Sequence, residues 1–502
     1  MRLDPYRTSS AACLLGTLAV YLYTLAPTVQ GFDSAELTVG AYALGFVHAP
    51  GYPLYMLLGH GFGRLPWGNV GLRLNLLSAL LGSLATVLLL WTIVPERRAQ
   101  SPDSPTPALA HAVLAVLMFA TAPAVWSQAL RAEVYTLHLC LMATVLWLWR
   151  KAHRTGRSTP LLLCFSLLGL SLGNHPTTLL LWTALLSGWP RETPHFRRVA
   201  LVGSGLAAVV ALLLYLYFPI RSGSQPAVDY LRTYFQVDLT TAGGMGWLVS
   251  AQMFQHAFYL DRDLFLVVEE LFRFAALLWE NFLGVGALLG LWGWWRLRRK
   301  EALWNRLLTV YFVLNAAAFV LYHVVDKEVM FTAAYIVWAI WVAYGLQGAA
   351  EWLQRQIPNW RQTWLMSGAV LLVLVLGILV NGPAVSLRTN HRAYDFAARL
   401  LEEAKPGAVV VNGWVTASVL DYLRLVEGRH PDVQSFNLDF YNLALQERHG
   451  SLTSATAQGE WHAWLQDQLG QRPVCFIEPL PAVPEQYRWV QSGVCWELVP
   501  SS

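Results

Sequence analysis

Stretches of roughly 20 residues with almost no charge recur along the first three quarters of this chain, and that is the length needed to cross the hydrocarbon of a bilayer. They lie near 9–27, 72–94, 108–126, 133–150, 160–173, 175–189, 199–218, 275–295, 304–323, 331–349 and 363–382. A water-soluble fold has no place for so many uncharged runs, so the pattern predicts a polytopic α-helical membrane protein of about eleven spans. Composition agrees: 55% of the residues are hydrophobic and 13% charged, against about 25% charged in ordinary soluble domains. The fifth and sixth runs are short and separated by GNHP, which reads as a broken hairpin or a re-entrant pair. The first run follows basic residues and has no clear small-residue cleavage site, so it reads as a retained span rather than a removed signal peptide.

Lys and Arg in the short loops set the orientation. With the N-terminus inside, the inner segments carry 18 basic residues and the outer ones before the tail carry 8. The N-terminus is therefore expected in the cytoplasm and, after an odd number of spans, the tail outside. A net charge of +4 and the lack of a basic stripe interleaved with aromatics give no support to a nucleic-acid partner. Five cysteines are too few for a disulfide scaffold. Cys475 and Cys495 lie in the polar tail, where they either pair in an oxidising compartment or stay as two thiols.

Two domains are expected, a membrane domain over 1–383 and an extracytoplasmic one over 384–502. In the tail, charged residues return and the apolar runs shorten to GAVVV, DVQSF and PVCFIEP, between helical stretches such as AYDFAARLLEEA and ASVLDYLRLVEG. Short strands alternating with amphipathic helices indicate a soluble α/β domain. It contains no nucleophile motif, phosphate loop or metal spacing, which leaves acceptor binding and structural support both open.

On this topology the polar motifs fall on the outer face. Asp33 and Glu36 are three residues apart and share a helix face if a helix starts there. Asp-x-x-Glu before an apolar run is also a capping-box pattern, with Asp33 bonding free amides and Glu36 reaching back. His48 sits in HAPGYPLY, a stiff turn into a segment too short to span, which is expected to lie along the membrane surface. Arg131 and Glu133 flank the start of the fourth span, where a snorkelled interfacial pair is the plain alternative. His175 lies in GNHPTT, where a helix-capping turn at Asn174 competes with a role toward a lipid phosphate. Arg221 follows the seventh span, and Lys327 stands between Asp326 and Glu328. Ionisable groups near membrane depth are costly and tend to mark sites.

A carboxylate with cationic and imidazole donors, facing out beside lipid, suits attack by an acceptor hydroxyl on a sugar whose leaving group is a lipid phosphate. The carboxylate takes the proton and the cations neutralise the departing phosphate. Nothing in the sequence supports a nucleotide-bound donor. Asp33, Glu36, Glu133 and two histidines are compatible with a divalent metal if they come together, although no spacing demands one. A transporter or flippase of lipid-linked or envelope substrates is the principal alternative, but it would favour internal repeats and midplane charges, which are not seen here. A ligand-sensing scaffold is the other.

GFDSAELTVGAYALGFVHAPGYPLYMLLG (31–59) resembles the DSGE and HPPGYPLY signature of a bacterial membrane family related to the eukaryotic plexin-directed protein O-mannosyltransferase. The resemblance continues through RLNLLSAL, WSQALRAEVYTLH, GLSLGNHPTTLLL, YFPIRS and the DKE loop, and more weakly into the tail. It implies a GT-C-like glycosyltransferase fold, a polyprenyl-phosphate sugar donor with mannose as the expected sugar, a protein Ser/Thr or glycan acceptor and inversion at the anomeric carbon. It also implies Asp33 as catalytic base with Glu36 as partner or substitute, and His48, Arg131, Glu133 and His175 at polar motif positions. The family's usual setting is a bacterial inner membrane. Ala35, Ala49 and Pro176 depart from the family pattern; the last removes a second histidine beside His175.

Overall fold

A computed structural model describes residues 4–94, 107–188, 194–258, 264–324, 326–356, 368–369, 372–373, 375–480 and 486–501. The chain divides into two compact units, each assembled from three segments: Met1–Leu25, Leu76–Tyr215 and His256–Arg388 in the first, and Ala26–Asn75, Leu216–Gln255 and Thr389–Ser502 in the second. The tail that the sequence sets apart from 384 onward thus shares its unit with two loops that precede it by well over a hundred residues.

Unit 1 is helical. Four described helices are long and apolar enough to cross a membrane: Val70–Ile93, Arg197–Ser222, Ala302–Val320 and Thr332–Gln354. Leu109–Ala120, Ser158–Leu172 and Thr178–Ser187 are apolar but shorter. The helices Val285–Lys300 and Thr332–Gln354 pack with their backbones almost touching. A Cβ on Gly293 would collide with the Trp341 carbonyl, and one on Gly345 with the Leu289 carbonyl. Small residues at such crossings let helices associate through dispersion where lipid offers no hydrophobic drive.

The run at 275–295 is not one straight span. Leu264–Asn281 and Val285–Lys300 meet at 105°. Leu283 and Gly284 carry φ of 53° and 66°, and two successive left-handed residues reverse the helical path. Apolarity alone carries no record of that break. Most of the run at 363–382 lies outside the described residues.

Unit 2 is built on a five-stranded sheet: β1 (Val409–Asn412), β2 (Gln434–Asn437), β3 (Val474–Phe476), β4 (Tyr487–Ser492) and β5 (Cys495–Pro500), in the order β2-β1-β3-β5-β4. β1 runs parallel to both β2 and β3, while β5 is antiparallel to β3 and β4. β1 and β3 are fully buried and coincide with the runs GAVVV and PVCFIEP, since a strand covered on both faces reads as a continuous apolar stretch; β2 overlaps DVQSF and is only partly buried. β4 alternates half-buried and exposed residues over its first four positions and gives no such run. Val409, Val411, Val474 and Phe476 form the core with Leu465 and Leu498. Trp461, Trp464 and Phe436 stack beside it, with centroids 5.2 and 3.9 Å apart. Cys475 and Cys495 form a disulfide.

The parallel centre of the sheet places the start of helix Trp414–Asp421 just beyond the carboxyl end of β1, where open α/β sheets present their functional loops. That helix packs on helix Asp33–Ala43, which in turn packs on helix Pro53–Gly63.

Candidate active site

Helix Asp33–Ala43 opens on Phe32, whose φ of 59° turns the chain sharply into the first turn. No side chain caps it, so the capping-box expectation does not hold. Asp33 is the first helical residue rather than the cap, and Glu36 turns away from the backbone behind it. Both carboxylates sit in the first turn, where the helix dipole favours negative charge.

Glu36 is fully buried and held by three donors. The His48 backbone N–H donates to Oε1 at 2.6 Å, and the Trp414 indole N–H donates to Oε2 at 2.7 Å. His48 Nδ1 lies 3.1 Å from Oε2. Oε2 already accepts from Trp414, and a proton on Nδ1 gives it a second donor, so the tautomer is assigned with the proton there. Nε2 then faces the other way, 3.0 Å from the Tyr52 hydroxyl and 3.9 Å from Asp33 Oδ2. Rings of Tyr52, Phe254 and Trp414 enclose the imidazole at centroid distances of 5.2, 5.8 and 5.2 Å.

Exposure separates the two acids. The Asp33 side chain is 22% exposed, whereas Glu36 is at 0% and His48 at 3%. Asp33 can meet a substrate; Glu36 can act only through His48. The turn that delivers His48 contains Gly51 at φ 82° and Tyr52 at φ 47°. A Cβ on Gly51 would strike the Phe218 ring at 2.5 Å, so the tight approach needs glycine. Pro53 then starts the next helix at its first turn.

One ligand atom each from Asp33, Glu36 and His48 lie within 4.8 Å of one another, a donor set of the type that holds a divalent cation. Glu36 and His48 Nδ1 are already engaged with each other, so a cation would have to displace part of that bonding. The fit is therefore partial.

The remaining residues singled out from the sequence fall into two groups. In unit 1, Arg131 Nε pairs with Glu133 Oε1 at 3.1 Å, and His175 Nδ1 lies 2.7 Å from the Thr177 hydroxyl. His175 also packs against His138, with ring centroids 5.0 Å apart, and Thr177 Oγ1 lies 3.3 Å from His138 Nε2. Asn174 does not make the local turn considered for it; its amide donates across to the Val134 carbonyl at 3.1 Å. The other group comprises cations bound to protein acceptors. Arg221 donates to the carbonyls of Leu44 and Ala43 at 3.1 and 3.3 Å, closing the far end of the helix that begins with Asp33. Lys327, 1% exposed, donates to Glu270 at 2.7 Å and to the Val320 carbonyl at 3.0 Å.

Sequence reasoning missed Trp414, Tyr52 and the pair Tyr230–Asp421. Trp414 lies 378 residues from Glu36 along the chain, and its one local signal is the NGW that follows β1 at the strand's carboxyl end. The Tyr230 hydroxyl donates to Asp421 at 2.7 Å, and Arg424 donates to the same carboxylate at 3.0 Å. Burial outweighs both and lifts the Asp421 carboxyl to about 6.

A family model described as the N-terminal domain of protein O-mannosyl-transferase TMEM260 matches residues 33–189, beginning at Asp33 itself. Protein O-mannosyl-transferase TMEM260 of Mus musculus is 25% identical over 463 residues, covering 84% of this chain and 62% of the relative. Its Dictyostelium discoideum counterpart is 26% identical over 149 residues, covering 28% of this chain and 17% of the relative. The chain thus spans less than two thirds of the length of these relatives. Among solved structures, ArnT from Cupriavidus metallidurans bound to undecaprenyl phosphate aligns with a TM-score of 0.56 at 13% identity, covering 97% of each chain. The apo form aligns at 0.52 and 12% identity, covering 87% of this chain and 90% of that one. These likenesses, with the apolar helices, establish an integral membrane protein of the GT-C fold.

Proposed function

We propose that this relative of the TMEM260 protein O-mannosyl-transferases is an inverting glycosyltransferase. It moves a sugar, mannose first among the candidates, from a polyprenyl-phosphate donor to an acceptor hydroxyl on a protein Ser or Thr or on a glycan, at the outer face of the membrane. The observation that carries this reading is the division of labour between two carboxylates one turn apart: Asp33 partly open, Glu36 buried and devoted to His48.

In the proposed step Asp33 accepts the acceptor's hydroxyl proton as the new bond to the anomeric carbon forms. The bond from that carbon to the phosphate oxygen breaks with its electron pair, and polyprenyl phosphate leaves from the opposite face, which inverts the configuration. Glu36 keeps the proton on His48 Nδ1, so Nε2 presents a lone pair toward Tyr52 and Asp33 and can share the incoming proton. Arg131 and His175 are assigned to the donor phosphate on their chemistry, as a guanidinium and an imidazole. Arg221 and Lys327 are assigned with them to donor or substrate binding, and all three cations would exchange a present partner for the phosphate: Glu133 for Arg131, carbonyls for Arg221 and Glu270 for Lys327.

An outer-face tail agrees with the Cys475–Cys495 disulfide, which forms in oxidising compartments. The proposed topology keeps about eleven spans, with the catalytic membrane domain over 1–383 and the outer domain from 384. The likeness to protein O-mannosyl-transferases favours group transfer over the transporter alternative. The test is a donor panel. The purified full chain in liposomes receives polyprenyl phosphates bearing labelled mannose, glucose or arabinose, together with outer-face proteins and glycans, and label joined to acceptor is counted. Transfer from the mannose lipid supports the reading; substrate movement across the bilayer with no transfer from any donor would overturn it.

A further inference from the structure

Helices Leu264–Asn281 and Val285–Lys300 meet at 105°, and the course of the second fixes that of the first. A Cβ on Gly290 would strike Trp338, one on Gly293 the Trp341 carbonyl, and one on Gly348 the Arg296 side chain. The paired numbers rise together, so Val285–Lys300 runs alongside Thr332–Gln354, a helix of 23 residues that is long and apolar enough to cross the bilayer. A helix at 105° to one that follows a span lies close to the membrane plane.

At 3.6 residues per turn, the 18 residues of Leu264–Asn281 sort into three sectors. Phe274, Leu278 and Asn281 are buried against the protein: Phe274 packs on Phe331 at 4.5 Å, and Asn281 accepts from the Ala124 amide at 3.0 Å. Leu264, Val268, Leu271, Phe272 and Trp279 share a second sector, an arc of about 100°, and are 40–74% exposed. Glu269, Arg273 and Glu280, all exposed, make a third and narrower one.

The charged sector weighs against a crossing. Glu269 and Glu280 are eleven residues apart, about 16 Å along the axis. An upright helix would therefore hold at least one of them inside a hydrocarbon layer about 30 Å thick, where a carboxylate is costly. Immersion in water suits the helix no better, because a continuous face of exposed apolar side chains marks an interaction surface. A helix lying flat at the boundary meets both demands.

We propose that helix Leu264–Asn281 lies in the outer surface of the bilayer as a lipid-binding face, with its apolar sector among the acyl chains beneath the headgroups and its charged sector in the aqueous layer. The side follows from RLRRK, the basic end of Val285–Lys300, which the charge bias assigns to the cytoplasm; the bend is at the opposite end. An indole such as that of Trp279 settles at this depth. Two acids against one base in the charged sector give anionic headgroups nothing to attract, so the attachment is apolar. This placement does not rest on sugar transfer.

The experiment uses the full chain in phosphatidylcholine nanodiscs, with one nitroxide at a time attached through Leu264→Cys, Phe272→Cys or Trp279→Cys. Cys13, Cys140 and Cys164 are buried and Cys475 is bonded to Cys495, and the parent chain carried through the same labelling serves as the blank. Depth is read from collisions with oxygen and with a water-soluble nickel complex. A flat helix should place the three labels at one depth, about 5–10 Å below the headgroups, with severalfold more oxygen than nickel collisions at each and the reverse ratio at Arg273→Cys. Val268→Cys and Leu271→Cys replace any position whose substitution lowers the melting temperature. Doping the discs with phosphatidylserine should leave the depths unchanged, and depths that shift would overturn the apolar attachment. A gradient along the helix, up to about 22 Å between positions 264 and 279, would mean a crossing or re-entrant helix and overturn the proposal. Nickel access at all three positions would overturn it too, leaving the face to water or to another protein.

Discussion

The first turn at Asp33 and the cluster around Arg150 are built from similar parts, charged groups enclosed by aromatic rings, yet the buried centre is an acid in one and a guanidinium in the other. At the first, a buried carboxylate has three partners, one of them the imidazole it holds. At the second, the Arg150 guanidinium donates to the Thr92 carbonyl, Glu301 and the Tyr344 hydroxyl beside the stacked rings of Trp149 and Trp304. The first fixes geometry beside the partly open Asp33; the second joins helices.

The largest expected effect is on Asp33. Asp33→Asn preserves shape but cannot take a proton, so transfer should fall about 10²–10⁴-fold with the melting temperature unchanged. Loss of folding in its place would make the residue structural. Next is Glu301→Gln, which removes the charge of the carboxylate paired with a guanidinium that is 3% exposed. It should destabilise the protein by about 3 kcal/mol, measured by thermal unfolding.

Glu36→Gln comes third in size. It keeps the volume but weakens the hold on His48 by about 1.5–3 kcal/mol, which corresponds to roughly ten- to a hundredfold in rate. The pH profile of transfer should shift as well, because the Nδ1 proton is no longer fixed. An unchanged profile would break the link from Glu36 through His48 to Asp33. Trp414→Phe removes one of three donors to Glu36 and should produce a smaller version of the same shift.

The gentlest effect belongs to Asp421, whose folded pKa is raised by burial from 3.8 to about 6. A raised pKa means that the folded state holds its proton more tightly than the unfolded chain does. The stabilisation is fully present below the unfolded value and is lost as pH climbs through about 6. Unfolding midpoints should therefore decline across that window in the wild type and stay flatter in Asp421→Asn.

Much of this was legible in sequence where the signal is local. Apolar runs marked the helices, three valines in a row marked β1, and the Asp33–Glu36 spacing marked one helix face. Signals carried by backbone conformation were not. The left-handed residues at Phe32, Leu283 and Gly284 displaced the expected helix cap and bent an expected span. Long-range pairing was equally hidden: nothing near Glu36 announces that an indole from the tail will donate to it, and nothing near Arg221 shows that it will donate to the carbonyls of Ala43 and Leu44. The β4–β5 hairpin escaped notice because alternation around polar residues resembles a loop.

The most direct measurement compares Asp33→Asn and Glu36→Gln with wild type in one reconstituted transfer assay, following label from polyprenyl-phosphate mannose to acceptor at several pH values. We expect transfer by the wild type, near-complete loss in Asp33→Asn, and partial loss with a displaced pH optimum in Glu36→Gln. Full activity in Asp33→Asn with abolition in Glu36→Gln would contradict the assignment and make the buried carboxylate the base.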